Sequence, residues 1–288
     1  MTKRERSAIV ATVAVVLFSA GLAFAGSQGG LKVRDVPLFA LAVGLIFVLQ
    51  WVAFVPAFME QTEQFFDLMG SMTFISVSAL VLFLSPVRDG RSLLLFLLIL
   101  IWTGRLGSFL FRRVRRDGKD GRFDAIKPSF FRFLFVWTLQ GAWVAFTASA
   151  ALIAMTSEMR KELDIFALVG SLIWLVGFAI EVVADQQKSQ FRANPANKGK
   201  FIQTGLWARS RHPNYFGEIL LWLGVTVIAL PVLQGWQWIG LISPVFVTVL
   251  LTHVSGIPLL EQRADAKWGG QDAYERYKEQ TPILIPRL

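Results

Sequence analysis

Long apolar runs separated by short polar, basic segments make up the chain. Eight runs reach the roughly 20 mostly apolar residues a helix needs to cross a bilayer. They cover about residues 7–25, 36–58, 68–85, 92–111, 131–155, 165–184, 215–230 and 238–260. Each is continuous rather than alternating, which predicts helices and not barrel strands. The seventh run is short and is expected to tilt or to pair tightly with the eighth. The first has a second reading: MTKRER, an apolar stretch and AFAG together resemble a signal peptide with a small-residue cleavage site. Its apolar stretch of about 19 residues exceeds an ordinary signal core of about 7–15, so an uncleaved first helix is expected. The pattern thus predicts an all-α integral membrane fold of about seven or eight transmembrane helices in one bundle, a single domain over 1–288.

Composition agrees with the pattern. Of the 288 residues, 54% are hydrophobic and only 17% charged, against about 25% charged in a soluble domain. Cysteine is absent, which excludes disulfides, thiolate metal sites and cysteine nucleophiles. The only histidines are His212 and His253, so no multi-histidine metal centre is expected. A net charge of +9 would suggest nucleic acid in a soluble protein. Here the basic residues lie between apolar runs, and topology explains them without a nucleic-acid partner. With eight spans, the side holding both termini collects 22 Lys and Arg and the other side 6. The positive-inside rule then places both termini in the cytoplasm. The basic loop 112–122 (RRVRRDGKDGR) reads first as a determinant of that topology.

Charges inside or at the edge of a span are costly and mark candidate sites. They are Asp67, Arg105, Glu181, Asp185, Glu218, His253 and Glu261, most of them near the cytoplasmic ends. His253 reads as a satisfied bundle histidine rather than a relay. In EVVADQQKSQFR (181–192), Glu181, Asp185, Lys188 and Arg192 recur at i, i+4, i+7 and i+11, one stripe on a helix that would continue past the membrane. The breaker-rich segment that follows supplies Lys198, Lys200, Arg209 and Arg211. The chain then re-enters at Pro213, suited to a first helical turn, with His212 as a cap. Asn214 and Glu218 share a face, and Arg211 lies one turn earlier. Amide, carboxylate and guanidinium converge at a positively polarised helix start, a setting for an anionic, hydrogen-bonding ligand such as a nucleotide. All three tyrosines, Tyr215, Tyr274 and Tyr277, come late. The last segment, with its apolar ILI between Pro282 and Pro286, is expected to be a cytoplasmic helix and turn folded back.

GLWARSRHPNYFGE (205–218), the apolar helix after it, and the tail LExxxxxKWG…AYxxYKxxTPxLIP resemble the steroid 5α-reductase superfamily, in particular its bacterial branch of unknown function. Sterol Δ14-reductases and isoprenylcysteine carboxyl methyltransferases share similar elements. The likeness is tightest over 181–286, and extends to DLMGSMTF (67–74) and IWTGRLGSFLFRRVRRDGKDGRFDAIKP (101–128). It implies a membrane reductase of the bacterial cytoplasmic membrane, with NADPH entering from the cytoplasm. The cofactor would lie against the C-terminal part, 181–288. Asp185 and Arg192 match the spacing of an acidic residue and an arginine that contact the cofactor. Asn214 and Glu218 match the family's re-entering helix, Lys200 a frequent basic position, and Arg105 a basic residue of an earlier span. Arg211, His212, Tyr215, Glu261 and Tyr277 complete the implied cofactor set.

The chain departs from the animal steroid reductases. Glu181 stands where they have Asn, Trp102 where they have a catalytic Tyr, and a residue near Glu261 where they have His. Trp donates one hydrogen bond but gives up no proton at useful pH. Asp67 lies nearest their catalytic Glu by spacing. The implied reaction is hydride transfer to the β-carbon of an α,β-unsaturated carbonyl in a lipophilic substrate admitted from the membrane lipids, with Asp67 stabilising the developing enolate. An S-adenosylmethionine-dependent methyltransferase of a lipidic or prenylated substrate is the alternative, since it shares RHPxY and the tail. A transporter or lipid-binding protein without enzymatic activity is a third reading.

Overall fold

A computed structural model describes residues 1–117, 121 and 123–287; the side chains of 113–117 also lie outside the described set. Most side chains of the basic loop 112–122 therefore lie outside the described set. Among those described, eight helices are long and apolar enough to cross a membrane, as the sequence pattern predicts. The described residues form two compact units, 1–167 with 228–242 (unit 1) and 168–227 with 243–288 (unit 2).

In unit 1, helix α1 (Lys3–Gly26) starts at a capping box: Thr2 Oγ1 accepts from Glu5 N–H and the Glu5 carboxylate accepts from Thr2 N–H. KRER (3–6) is thereby the first turn of the helix. A minimal hairpin follows, β1 (Lys32–Val33) and β2 (Val36–Pro37). Its two turn residues, Arg34 and Asp35, take φ of 47° and 66°, the left-handed pair that a two-residue hairpin loop requires. Helices α2 (Leu38–Met59), α3 (Phe66–Leu84) and α4 (Gly90–Asp117) come next.

The fifth apolar run, read from sequence as one span over 131–155, is two helices. α5 (Phe130–Thr147) ends at Ala148, and α6 (Ser149–Thr156) is buried at every position. The reason is local. SAALIAMT has side chains small enough to pack inward, and the chain after it is held by Ser157, whose hydroxyl donates to Val232 O at 2.8 Å. The aromatics at the start of α5 divide: Phe133 and Trp137 join Phe54 and Phe123 in a core cluster, whereas Phe130 and Phe131 remain exposed.

Arg91 and Arg160, read from sequence as loop charges, are anchors. Arg91 is buried, donates to Ile228 O at 2.5 Å and Glu162 O at 2.8 Å, and pairs with Asp164 at 3.0 Å. Arg160 pairs with Asp89 at 2.6 Å. Burial pushes the Asp89 carboxyl up, but bonds from Ser92 and Arg160 outweigh it and hold it below its ordinary value.

In unit 2, α7 (Ile165–Ala193) runs unbroken through the stripe that the sequence placed beyond the membrane. α8 (Pro213–Ala229) packs against it backbone to backbone. A Cβ on Gly217 would lie 2.6 Å from Gly177 O, and one on Gly224 2.5 Å from Gly170 O. Glycines seven apart on each helix therefore set the approach, the membrane pattern of small residues at a helix contact. The eighth run is not one α-helix. A 3₁₀ segment belonging to unit 1 (Gly235–Leu241) precedes α9 (Ile242–Val249), a π turn (Leu250–Val254), a break at Ser255–Gly256, and α10 (Ile257–Trp268). At the break a Cβ on Gly256 would lie 2.4 Å from Leu251 O. α11 (Asp272–Gln280) and an extended tail complete the unit.

Candidate functional site

The site in unit 2 begins with the last turns of α7. The segment 194–212 folds back along them: Gln187 Oε1 accepts from Leu206 N–H at 3.0 Å, and Trp207 Nε1–H donates to Ala184 O at 3.0 Å. The Lys188 ammonium lies 4.3 Å from the centre of the Trp207 ring, a cation–π contact. Gly205 makes the close approach possible. It takes φ +62°, and a Cβ there would lie 2.6 Å from the Gln187 amide.

The tail closes the other side. Arg211 N–H donates to Pro282 O at 2.9 Å, Ser210 Oγ–H to Leu284 O at 2.8 Å, and Arg287 N–H to Arg209 O at 3.0 Å. Folding back was predicted; the pairing with 209–211 was not. Tyr277 O–H donates to Trp207 O at 2.7 Å and Trp268 Nε1–H to Gly199 O at 2.6 Å. The Phe201 ring packs within 6 Å of Trp268, Tyr274 and Tyr277.

These elements enclose a cavity of about 340 Å³. Its wall carries six cations (Lys188, Arg192, Lys200, Arg211, Arg263 and Lys267), several aromatic rings, and one carboxylate, Glu261. Glu261 accepts from Arg211 Nη1–H at 2.5 Å and bonds His212 Nε2 at 2.8 Å. A carboxylate of α10 thus clamps the Arg-His pair that opens α8. His212 was expected to cap that helix; its backbone does so, its C=O accepting from Phe216 N–H, while its ring turns to Glu261 and stacks on Tyr215 at 5.7 Å. Burial lowers the His212 pKa from its ordinary 6.5, and the Glu261 contacts, which raise it, do not overcome this. A neutral His212 facing a carboxylate must carry its proton on Nε2, which leaves Nδ1 as a bare acceptor. His212 Nδ1 and Arg211 Nε are buried atoms without a hydrogen-bond partner. Burial, and then the Asp265 bond, push the Tyr274 phenol up to about 12, and burial also pushes Tyr277 up. Neither tyrosine exchanges a proton near neutrality; both are fixed walls. The chemistry offered is a dense set of cations for an anion, rings for a planar group, and one unfilled donor and one unfilled acceptor.

Of the sequence-predicted residues, Arg192, Lys200, Arg211, His212, Glu261 and Tyr277 line this cavity. Glu181 and Asp185 are buried on α7, where Glu181 N lies beside Gly217. They, Asn214, Tyr215 and Glu218 are not among the lining residues. Trp207, Trp268, Arg263 and Lys267 line it without having been singled out. KWG in the tail motif was the available signal for two of them.

Asp67, Trp102 and Arg105 belong to unit 1. Asp67 is half-buried in the first turn of α3. Trp102 is buried on α4, edge-on to Phe74 at 5.4 Å. Phe74 is seven residues from Asp67, about 10 Å along the axis, so the α3–α4 seam holds Asp67 and Trp102 at different levels. The Arg105 guanidinium lies 5.3 Å from the Phe109 ring centre on the same helix. His253 is exposed on the π turn, with Nδ1 2.6 Å from Thr252 Oγ1, rather than satisfied inside a bundle. Among the described residues no cluster of three or more metal-ligating side chains occurs.

Comparison with known proteins adds the family context. Residues 53–281 match the family model described as protein of unknown function (DUF1295). An uncharacterized protein of Schizosaccharomyces pombe is 24% identical over 235 residues, 70% of this chain and 65% of that protein. The steroid 5-alpha-reductase of Gossypium hirsutum is 29% identical over 119 residues, 41% of each chain. A probable O-methyltransferase of Ustilaginoidea virens is 40% identical over 50 residues, 17% of this chain and 18% of that one. The chain thus spans less than two thirds of the length of these relatives.

Proposed function

The chain belongs to the DUF1295 family, part of the steroid 5α-reductase superfamily, and from that premise we propose that it is a membrane-embedded, NADPH-dependent reductase of a lipophilic substrate. The observation that carries this is the cavity of unit 2. Six cations against one carboxylate suit phosphate groups, including a ribose phosphate, and the rings suit adenine. About 340 Å³ is at the small end of ligand pockets, a size for the adenosine-phosphate end of a dinucleotide. The orphaned Arg211 Nε and His212 Nδ1 supply one donor and one acceptor to it.

In this reading Lys188, Arg192, Lys200 and Arg211 neutralise phosphates, and Tyr277 and Trp268 wall the base. Glu181, Asp185, Asn214, Tyr215 and Glu218 hold the remaining polar groups. When bound, NADPH would supply the hydride to the β-carbon of a C=C bond conjugated to a carbonyl, and a proton from solvent or a side chain would complete the reduction. Asp67, as the neutral acid, donates a hydrogen bond to the carbonyl oxygen and stabilises negative charge as it develops there, and Trp102 can donate one hydrogen bond. The excess of Lys and Arg on one side supports cytoplasmic termini in a bacterial cytoplasmic membrane.

The methyltransferase reading draws support from the O-methyltransferase match. The cation-rich wall weighs against it, because S-adenosylmethionine carries a sulfonium charge and no phosphate. Parallel titrations of detergent-purified protein, read by quenching of tryptophan fluorescence, separate the two. Saturable binding of NADPH and not of S-adenosylmethionine is expected. Saturation by S-adenosylmethionine alone overturns the reductase reading, and saturation by neither overturns both.

A further inference from the structure

In unit 1 a second groove, about 280 Å³, runs between the starts of α1 and α5. Its lining on α1 is Arg4, Ser7, Ala8 and Ala11, spaced i, i+3, i+4 and i+7 along one face; on α5 it is Arg132, Phe135 and Val136. Two features set it apart from ordinary helix packing. Its charge is one-sided, with two guanidiniums and no carboxylate in the lining. The nearby Glu5 is committed elsewhere, to Thr2 N–H and to Ser129 Oγ–H at 3.0 Å, and the latter bond ties the two helix starts together. The polarity is also graded. The arginines stand at the first turns of two spans, and past Ser7 the wall is apolar, through Ala8 and Ala11 on α1, the latter about 10 Å from Arg4 along the axis, and Phe135 and Val136 on α5. Ala8 and Ala11 are small and leave the trough open against Phe135 and Val136. The same face of α1 continues through Ala14, Leu17, Phe18, Gly21 and Leu22 into an apolar cavity of about 490 Å³.

A cationic mouth that gives way to an apolar trough along the bilayer normal matches one kind of molecule. We infer that this groove is a binding site for an anionic phospholipid, its phosphate between Arg4 and Arg132 and one acyl chain laid along Ala8 and Ala11. The charge recognition follows the attraction of basic pockets at helix ends for acidic headgroups, and the fork geometry of arginine suits a phosphate. The site shares no residue with the cavity of unit 2 and does not depend on the reductase reading.

Native mass spectrometry of the detergent-purified protein tests it, after titration with dioleoyl phosphatidylglycerol or with dioleoyl phosphatidylcholine. The wild type is expected to retain the phosphatidylglycerol at least several-fold better. Arg4→Ala/Arg132→Ala is expected to lose that preference, and Ala11→Phe to retain less of both lipids by filling the trough. Glycerol phosphate, the headgroup chemistry without chains, is expected not to displace the lipid. Equal retention of the two lipids by the wild type overturns the inference. So does a double variant that keeps the preference, or displacement by glycerol phosphate. Should the double variant not be recovered as monodisperse protein, the wild-type comparison and Ala11→Phe decide.

Discussion

The most direct test of the architecture is Gly217→Ala. A Cβ at this position would lie 2.6 Å from Gly177 O and 2.7 Å from Glu181 N. Carbon contacts normally begin near 3.5 Å, so α7 and α8 would have to part by about 1 Å. Overpacking costs about 1–3 kcal/mol, and the obstructing atoms are backbone, which cannot rotate away, so the upper end applies. Alanine recovers about 1 kcal/mol of helix propensity, which leaves a net loss of about 2 kcal/mol. For a chain of this size that lowers the melting temperature by about 4–8 °C. The control is Gly104→Ala on α4, where a Cβ meets nothing within 4 Å; the same chemical change there is expected to leave stability unchanged or raised. Thermal unfolding in detergent, followed by tryptophan fluorescence, reads both. Because α8 begins directly after Arg211 and His212, Gly217→Ala should also weaken nucleotide binding. If Gly217→Ala melts at or above the wild type, the backbone-tight approach of α7 and α8 is wrong.

Four further outcomes are expected. Because the folded pKa of His212 lies below 6.5, the unfolded chain binds a proton first on acidification; stability should fall as pH drops below about 6.5, and His212→Asn should flatten that slope in a pH series of melts. Arg192→Ala and Lys200→Ala, removing partly solvated cations, should each weaken NADPH affinity about 2–5-fold at low salt and less at high salt, by fluorescence titration. Tyr277→Phe deletes the bond to Trp207 O and should cost about 0.5–1.5 kcal/mol; its pH–rate profile should match the wild type, since the phenol stays protonated. Arg91→Met leaves the buried Ile228 carbonyl without its donor and should cost about 1–3 kcal/mol, seen as a lower melting temperature.

The spans were legible because a bilayer imposes length and apolarity on each one separately, and because the stripe from Glu181 to Arg192 obeys helical spacing whatever surrounds it. Breaks inside apolar runs were not legible. Nothing in the hydropathy of 131–155 separates α5 from the buried α6, since small residues suit a lipid face and a packed core alike. The π turn before Gly256 is equally silent. The glycines of α7 and α8 could be seen, but which of them meet depends on the register between two helices. At the candidate site, the sequence supplied the cations and the tail motif. It could not supply the pairing of Glu261 with Arg211 and His212, because residues some fifty positions apart carry no local signal of contact. Nor did helical spacing put Asn214 and Glu218 in the cavity lining: the ring of His212 turns toward α10, and the site follows it.

The bonds that join Ser210 to Leu284 span 74 residues. At a synthesis rate of about 5–20 residues per second, the segment 209–211 waits roughly 4–15 s for its partner. During that interval α8 has emerged, yet Arg211 lacks the Pro282 carbonyl throughout and the Glu261 carboxylate for the first fifty residues. The wall is thus finished late, at the pace of the ribosome. A chain halted before Pro282 would carry its membrane helices and all six cations of the cavity wall, but 209–211 would lack their partners in the tail. A tag fused to the last residues would press on the bond from Arg287 N–H to Arg209 O.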